Sequence, residues 1–441
     1  MVGKMKQDLT KPSSLWRQDG YFAWLTADTA FALSGAINSF VLSILVLAET
    51  GSASHAGVVT SIGLVTAGVF NIFGGWVLDA YDRRKVARWS GISGVIIYSS
   101  AVAMLLTDTF TFATASILAL AVGVRSGLAA NVTNVMLRAF IPGQILPKAI
   151  SVNQARDAVI EFGIAPFAGA LLQLGRALPY TFNIVSNLLG AIASLFLPPS
   201  ISKTGSAEPD CPRRSVSVRA LLAGFETLLS IRLLRVVATS GNIAFAIFNA
   251  VITATIWHLL TVTDNAAIAG LTSSIVAVGV FIGAAVATRL TKAMRGGTIA
   301  LLAYLLPLVS TGLLLMFHSS TSHILLLAPA LLLLPAGSAV LGSLQLLVIP
   351  DHKLGRTFAA TGILELIFGA SIMAGTGFLY EHAGYTNTLL VGVLIMTFCL
   401  LHLSLVPEVR GIPASDRLEE FANRIQSAKQ SDSNNAENAS S

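Results

Sequence analysis

Apolar stretches long enough to cross a hydrocarbon core, about 20 residues each, recur along this chain from Tyr21 to Val406. Twelve can be delimited: 21–48, 56–78, 89–106, 112–137, 148–174, 179–197, 236–261, 266–288, 297–317, 323–348, 357–380 and 386–406. In lipid such a stretch must satisfy its own backbone, and a helix does so within one segment. Composition agrees, since 54% of residues are hydrophobic and only 11% charged, far from a soluble protein. The expected fold class is an all-α polytopic membrane protein with twelve transmembrane helices.

Orientation follows from the bases, because short loops rich in Lys and Arg stay on the cytoplasmic side. With both termini inside, 25 of the 28 Lys and Arg fall in inner loops and tails. Arg176 lies in an outer loop, while Arg125 and Arg156 fall within spans. The net charge of +6 therefore reads as membrane orientation and gives no argument for nucleic-acid binding. Met1 to Asp19 has no apolar core or small-residue cleavage site, so no removable signal is expected. Cys211, in an inner loop, and Cys399, in the last span, suggest neither a disulfide nor a metal site. The seven histidines lie mostly near expected helix ends and form no ligand cluster in sequence; His258 is a candidate pH-responsive group.

Residues 199–235 interrupt the apolar pattern with proline, serine and bases. They divide the chain into a cytoplasmic N-terminus (1–20), a six-helix bundle (21–198), a linker (199–235), a second six-helix bundle (236–406) and a tail (407–441). Within the linker, Val218, Leu221, Leu222, Phe225, Leu228 and Leu229 repeat at helical spacing, the pattern of an amphipathic helix on the inner membrane surface. Leu418, Phe421 and Ile425 give the tail one short amphipathic helix, followed by a Ser/Asn-rich end expected to be disordered. The two bundles repeat each other. Gly57 matches Gly270 and Ala80 matches Ala293, 213 residues on; Gly169 matches Gly377 and Asp157 meets Glu365, 208 residues on. Internal repeats of this kind are frequent in transporter folds.

Between the second and third stretches runs Gly74-Gly75-Trp76-Val77-Leu78-Asp79-Ala80-Tyr81-Asp82-Arg83-Arg84-Lys85. Glycines let two helices approach closely. Asp79 stands at a helix C-terminus, where the dipole disfavours an acid, so it needs a cation such as Arg83 or Arg84. The spacing of Gly75, Asp79, Arg83 and Arg84 resembles the loop signature of the major facilitator superfamily, Gly-x-x-x-Asp-Arg-x-Gly-Arg-Arg. It departs at Ala80, where a base is usual, and at Asp82, where glycine is usual. Ala165-Pro166-Phe167-Ala168-Gly169-Ala170 is similar to the fifth-helix motif of exporters in that superfamily; Pro166 and Gly169 match, and Glu161 replaces the leading glycine. Val218 to Phe225 looks like the linker of its enterobactin-exporter branch.

What the resemblance implies is the major facilitator fold, two pseudo-symmetric bundles around a central cavity. It further implies a proton-coupled exporter, akin to the drug/proton antiporters and enterobactin exporters, working by alternating access. The partners would be an amphiphilic small molecule (a drug or a siderophore), protons and the lipid bilayer. No cofactor is implied, and the expected form is a monomer in a bacterial inner membrane. The loop of Gly75, Asp79, Arg83 and Arg84 would gate the inner ends of the helices.

Ionisable residues inside spans are costly and so mark candidate sites. Asp28 lies roughly 10–13 Å from the inner surface at 1.5 Å per residue; it reads as a functional group or as one facing a wet vestibule. Arg125 and Glu161 fall at similar depth on either side of the turn Ile141-Pro142-Gly143, and Arg125 sits where the superfamily often carries a fourth-helix arginine linked to proton transfer. Asn153, Asp157 and Glu161 share one helix face at i, i+4 and i+8. Two acids one turn apart repel, which favours protonating one of them unless an arginine intervenes. The expectation is that Asp157 and Glu161 carry the coupled proton and Arg125 sets when it leaves. A static network of Arg125 and Arg156 with the two acids is the structural alternative, and Glu365 is the corresponding acid of the second half.

No Gly-x-x-x-x-Gly-Lys-[Ser/Thr] loop occurs, so ATP is not the expected energy source. No cluster of His, Asp and Cys supports a membrane-embedded enzyme, whereas an uptake symporter would use the same fold. The assigned orientation has a direct check. Cys211 should react with impermeant thiol reagents only from the cytoplasmic face, and labelling in intact cells would overturn the topology.

Overall fold

The computed structural model describes residues 16, 18–130, 132–141, 146–198, 218–317 and 319–424. These are nearly all helical, with no strand among them. Spans 1 to 3 are Tyr21–Thr50, Ala53–Ala80 and Arg83–Leu106. Span 4 comes in two pieces, Phe112–Ala129 and Val132–Phe140; spans 5 and 6 are Leu146–Leu174 and Leu178–Ala193. Span 7 runs from Arg232 through a π-helical turn at Val237–Gly241 to Thr263, and spans 8 and 9 are Ala266–Ala293 and Gly296–Leu314. Span 10 is Ser320–Leu326 followed, after irregular turns, by Leu334–Val348. Continuous helix from Asp351 to Leu405 is broken at Gly384, whose φ of 81° separates span 11 from span 12. The all-α, multi-span expectation is met.

Span 5 differs from the others in a telling way. The first half of span 5 carries Asn153, Arg156, Asp157 and Glu161. A helix this polar is stable at membrane depth only where protein or water covers it.

The linker helix, Val218–Ser230, docks on span 11. Gly224 comes so close to the Arg356 backbone that a side chain would collide, and Leu228 is buried beneath it. Leu222 and Leu229 stay exposed, so the expected surface-lying amphipathic helix is in part a protein-packed one. The tail is clipped to span 9 by Gly296 N–H donating to Pro413 O at 2.9 Å and Gly297 N–H to Ile412 O at 3.0 Å. Leu418 buries in the same cluster and Phe421 packs against it; Ile425 and Cys211 lie outside the described residues.

Contact between the halves runs through span 2 against span 11 and span 5 against span 8. Both interfaces concentrate at the end away from the basic loops. Gly57 of span 2 faces Gly377 of span 11, where an added Cβ would stand 2.7 Å from Met373 O and 3.1 Å from Gly377 Cα. Across the pseudo-two-fold, Gly270 of span 8 meets span 5, where a Cβ would stand 2.5 Å from Ala165 O, and Gly169 closes on Ala266. Gly57 and Gly270 are repeat equivalents, and so are Gly169 and Gly377. The symmetry extends to the polar contacts. Glu381 Oε2 accepts from Ser52 Oγ at 2.5 Å and from Ser54 N–H at 2.8 Å, and Gln173 Nε2 donates to Asp264 O at 3.1 Å. Gln173 and Glu381 are again 208 residues apart. Ser52 and Asn265, 213 apart, cap spans 2 and 8 with their side chains.

At the basic end the halves part. One hydrophobic cluster joins them at the far end, from Ile37, Val59 and Ala168 to Trp257, Ala269 and Met373. At the basic end there are separate clusters, one around Trp24, Leu78 and Met136 and another around Leu234, Val348 and Ile412. Phe73 and Trp76 of span 2 and Phe281 and Ile282 of span 8 are exposed there. The molecule is thus closed at one end and open at the basic one.

Because the closed end depends on backbone-to-backbone contact, Gly57→Val should force it apart at a cost of about 1–3 kcal/mol, as overpacking does. Spin labels at Thr107→Cys and Asn387→Cys, one on each half at that end, should report a longer distance in the variant. An unchanged distance in folded protein would mean that the glycines do not set the closure.

Candidate functional site

Asp28 of span 1 and the polar half of span 5 come together on the cavity side. The local sequence dictates this arrangement: Asn153, Arg156 and Asp157, at i, i+3 and i+4, project toward one neighbour. Arg156 Nη1 lies 2.6 Å from Asp28 Oδ2 and donates to Thr29 Oγ1 at 3.1 Å. The same guanidinium reaches Asp157 Oδ1 through Nη2 at 2.6 Å and Nε at 3.1 Å. Asn153 Nδ2 donates to Asp28 Oδ2 at 3.4 Å. The Arg156 and Asp28 side chains are 16% and 13% exposed and that of Asp157 is 55% exposed. One cation is therefore shared by two carboxylates, and Asp157 is the more accessible of the two. With both acids ionised the group carries one uncompensated negative charge, which a proton or a cationic group would neutralise.

Arg125 is engaged elsewhere. Its Nε donates to Ser90 O at 2.7 Å and its Nη2 to Asn187 Oδ1. Asn187 Nδ2 in turn donates to Ser34 Oγ and to Asn183 O, each at 2.7 Å. Gly94 of span 3 leaves room for this network, since a Cβ there would fall on Asn187 and 3.0 Å from Arg125 Cζ. The network ties spans 1, 3, 4 and 6 together inside the N-terminal half. The expected partnership of Arg125 with the span 5 acids is thus replaced for Asp157 by Arg156, one residue away. Equal depth did not bring Arg125 to Asp157, because a helix at a given depth still has a full circle of directions and span 4 turns Arg125 toward spans 3 and 6. Glu161 lies within the span 5 helix, with its side chain outside the described ones.

Glu365, the repeat equivalent of Asp157, is exposed on span 11. It adjoins Leu366, whose side chain packs on Gly68 of span 2. An acid exposed at this depth belongs against water rather than lipid. Pro166 lies inside span 5, next to Gly169 at the closed interface.

The loop between spans 2 and 3 has its own local logic. Asp82 caps span 3, accepting from Arg84 N–H at 2.9 Å and pairing with Arg84 Nη2 at 3.3 Å. The residue that departs from the superfamily signature therefore starts a helix here. Arg83 is half-buried. Asp79 belongs to the span 2 helix, but its side chain lies outside the described ones. A Cβ on Gly75 would meet open space, whereas Gly74 packs on Gly127 O of span 4. Of the two glycines, Gly74 makes the close approach and Gly75 has open space beside it.

Sequence reasoning missed Thr29, Ser52, Gln173 and Glu381. Glu381 and Gln173 were within reach, because the 208-residue repeat relates them.

The sequence model of the Major Facilitator Superfamily matches residues 26–375. No curated protein is a significant sequence match for the chain. Among solved structures, a bacterial homologue of the iron transporter ferroportin, in an inward-facing state, aligns with a TM-score of 0.63 at 15% identity, covering 88% of this chain and 98% of that one. A peptide transporter aligns at 0.68 and 14%, covering 90% and 96%, and a D-xylose–proton symporter at 0.58 and 15%, covering 88% and 96%. At such identities the likeness is one of fold.

The two arginine networks share no partner among the described residues, so their loss should be additive. Arg156→Ala and Arg125→Ala should each cost about 1.5–3 kcal/mol, the scale of charged hydrogen bonds. The double variant should match their sum to within about 0.5 kcal/mol. Denaturant unfolding in micelles measures this, and a strongly non-additive double variant would show that the networks are one.

Proposed function

The chain belongs to the Major Facilitator Superfamily, a transporter and not an enzyme, and we propose that it is a proton-coupled exporter of an amphiphilic small molecule such as a drug or siderophore. The observation that carries this reading is the Asp28–Arg156–Asp157 group, which holds two acids on one cation beside a cavity open at the basic end. With the basic end cytoplasmic, as in a bacterial inner membrane, the conformation is inward-facing. Substrate enters from the cytoplasm and meets Asp157 on one half and Glu365 on the other. Rocking of the halves then brings the loop of Gly75, Asp79, Arg83 and Arg84 against the second half while the glycine contacts at the outer end release. The open space at Gly75 fits this, because its bare backbone has no neighbour until the inner end closes.

Coupling follows from the shared guanidinium. In the inward-facing state Arg156 bridges Asp28 and Asp157 and shares its charge between them. Movement of span 1 against span 5 lengthens the Arg156–Asp28 contact and leaves Asp28 without its cation, and desolvation of an unpaired carboxylate favours proton uptake. Proton release on return to the inward-facing state restores the bridge. Proton and substrate thus compete for the same negative charge, which is the requirement for exchange.

Neutralising the span 5 acids together, Asp157→Asn with Glu161→Gln, should abolish proton-driven transport in proteoliposomes while substrate binding persists. Accumulation equal to wild type in the double variant would remove the proton role from these residues. Loss of folding and binding together would mark them as a static lock. Flux measured in inside-out vesicles fixes direction: substrate movement into them on acidification of the lumen supports export, and movement out with protons would make the protein an uptake symporter.

A further inference from the structure

At the far end of the second half, three rings from three spans converge outside the transport site. His258 lies near the end of span 7, His323 at the start of span 10 and Tyr385 at the start of span 12. The His258 ring lies flat on Tyr385, with centroids 4.1 Å apart and planes within 7°. It stands 5.6 Å from the His323 ring. With Leu314, Leu315 and Leu389 they line a cavity of about 100 Å³.

Hydrogen bonding fixes what His323 can do. Its Nδ1 is 2.9 Å from Ser319 O, and a carbonyl oxygen only accepts, so Nδ1 carries the proton. Nε2 of the neutral ring is left with an in-plane lone pair. Metal-binding imidazoles have this arrangement, one nitrogen donating to a backbone carbonyl and the other free to ligate. Neither ring nitrogen of His258 has a hydrogen-bond partner among the described residues, and stacking on Tyr385 covers its face but not its edge. The Tyr385 hydroxyl is already engaged with Thr255 Oγ1 at 3.0 Å.

The separation also suits a shared ion. With metal–nitrogen bonds of about 2.0–2.1 Å, two imidazoles at a tetrahedral angle have centroids roughly 5 Å apart, close to the 5.6 Å found. No carboxylate lines the cavity, which disfavours Ca²⁺ and Mg²⁺, whereas imidazole suits Zn²⁺, Cu²⁺ and Ni²⁺.

We infer that His258 and His323, brought together by spans 7 and 10, form a site for a divalent transition-metal ion of the Zn²⁺ class, with water completing its coordination. An ion held there pins the ends of spans 7 and 10 to each other and slows any transport step that separates them.

Zn²⁺ titrated calorimetrically into the full chain in lipid nanodiscs tests this. Wild-type protein should bind, and His258→Ala and His323→Ala should each weaken binding roughly tenfold or more, the scale on which metal sites respond to such losses. His382→Ala, outside the cavity, should leave it unchanged. Co²⁺ added to the wild-type protein should show the visible absorption of imidazole-ligated cobalt, a readout that needs no variant to fold. A wild-type titration indistinguishable from that of the doubly substituted protein overturns the inference, as does the absence of those bands.

Discussion

The structure depends on backbone meeting backbone at one end of the bundle. Lipid chains are as apolar as leucine, so spans gain little by burying side chains from lipid, and close packing has to supply their association. Gly57 against Gly377, and Gly270 with Gly169 against the facing helices, allow this closeness. Each half presents the same small-residue surface, related by the internal repeat, so one sequence solution is used twice. Two polar contacts at the same level, Glu381 to Ser52 and Ser54 and Gln173 to Asp264, seal the polar turns. Where these contacts stop, the halves separate and the cavity begins.

The cavity's chemistry depends on that closure. The polar half of span 5 survives at membrane depth because the parted halves expose it to water while Arg156 satisfies two acids at once. A guanidinium shared by two carboxylates balances them unevenly: Asp28 is well enclosed and Asp157 is mostly exposed. A change in the spacing of spans 1 and 5 therefore acts on the Arg156–Asp28 contact, because Asp157 rides on the same helix as Arg156. Arg125, by contrast, has its donors committed to a backbone carbonyl and an asparagine inside one half, and this suits it to holding spans 1, 3, 4 and 6 as a unit that moves rigidly.

Local capping chemistry explains residues that a family signature would leave as anomalies. Asp82 stands where the superfamily usually has glycine, and it starts span 3 by accepting from Arg84 N–H. Ser52 and Asn265 do the same for spans 2 and 8, following positions in the left-handed region at Gly51 and Asp264. The repeat is thus carried by turn chemistry as well as by hydrophobic length. This is how the two halves keep matching geometry while most of their side chains differ.

The sequence by itself determined the helices, their number and the internal repeat, because span length, base distribution and the spacing of glycines are properties of each segment alone. It also marked Asp28, Arg156 and Asp157 as costly at their depth. What it did not determine is direction around each helix axis. Depth placed Arg125 level with the span 5 acids, but the rotation of span 4 turned it toward Ser90 and Asn187. A one-residue step along span 5 made Arg156 the partner instead. In the same way Gly74, not Gly75, packs on span 4, and His258, His323 and Tyr385, up to 127 residues apart, meet only because three spans end at one level. Azimuth and partner choice arise from many weak contacts between segments distant in the chain, and no single segment contains them.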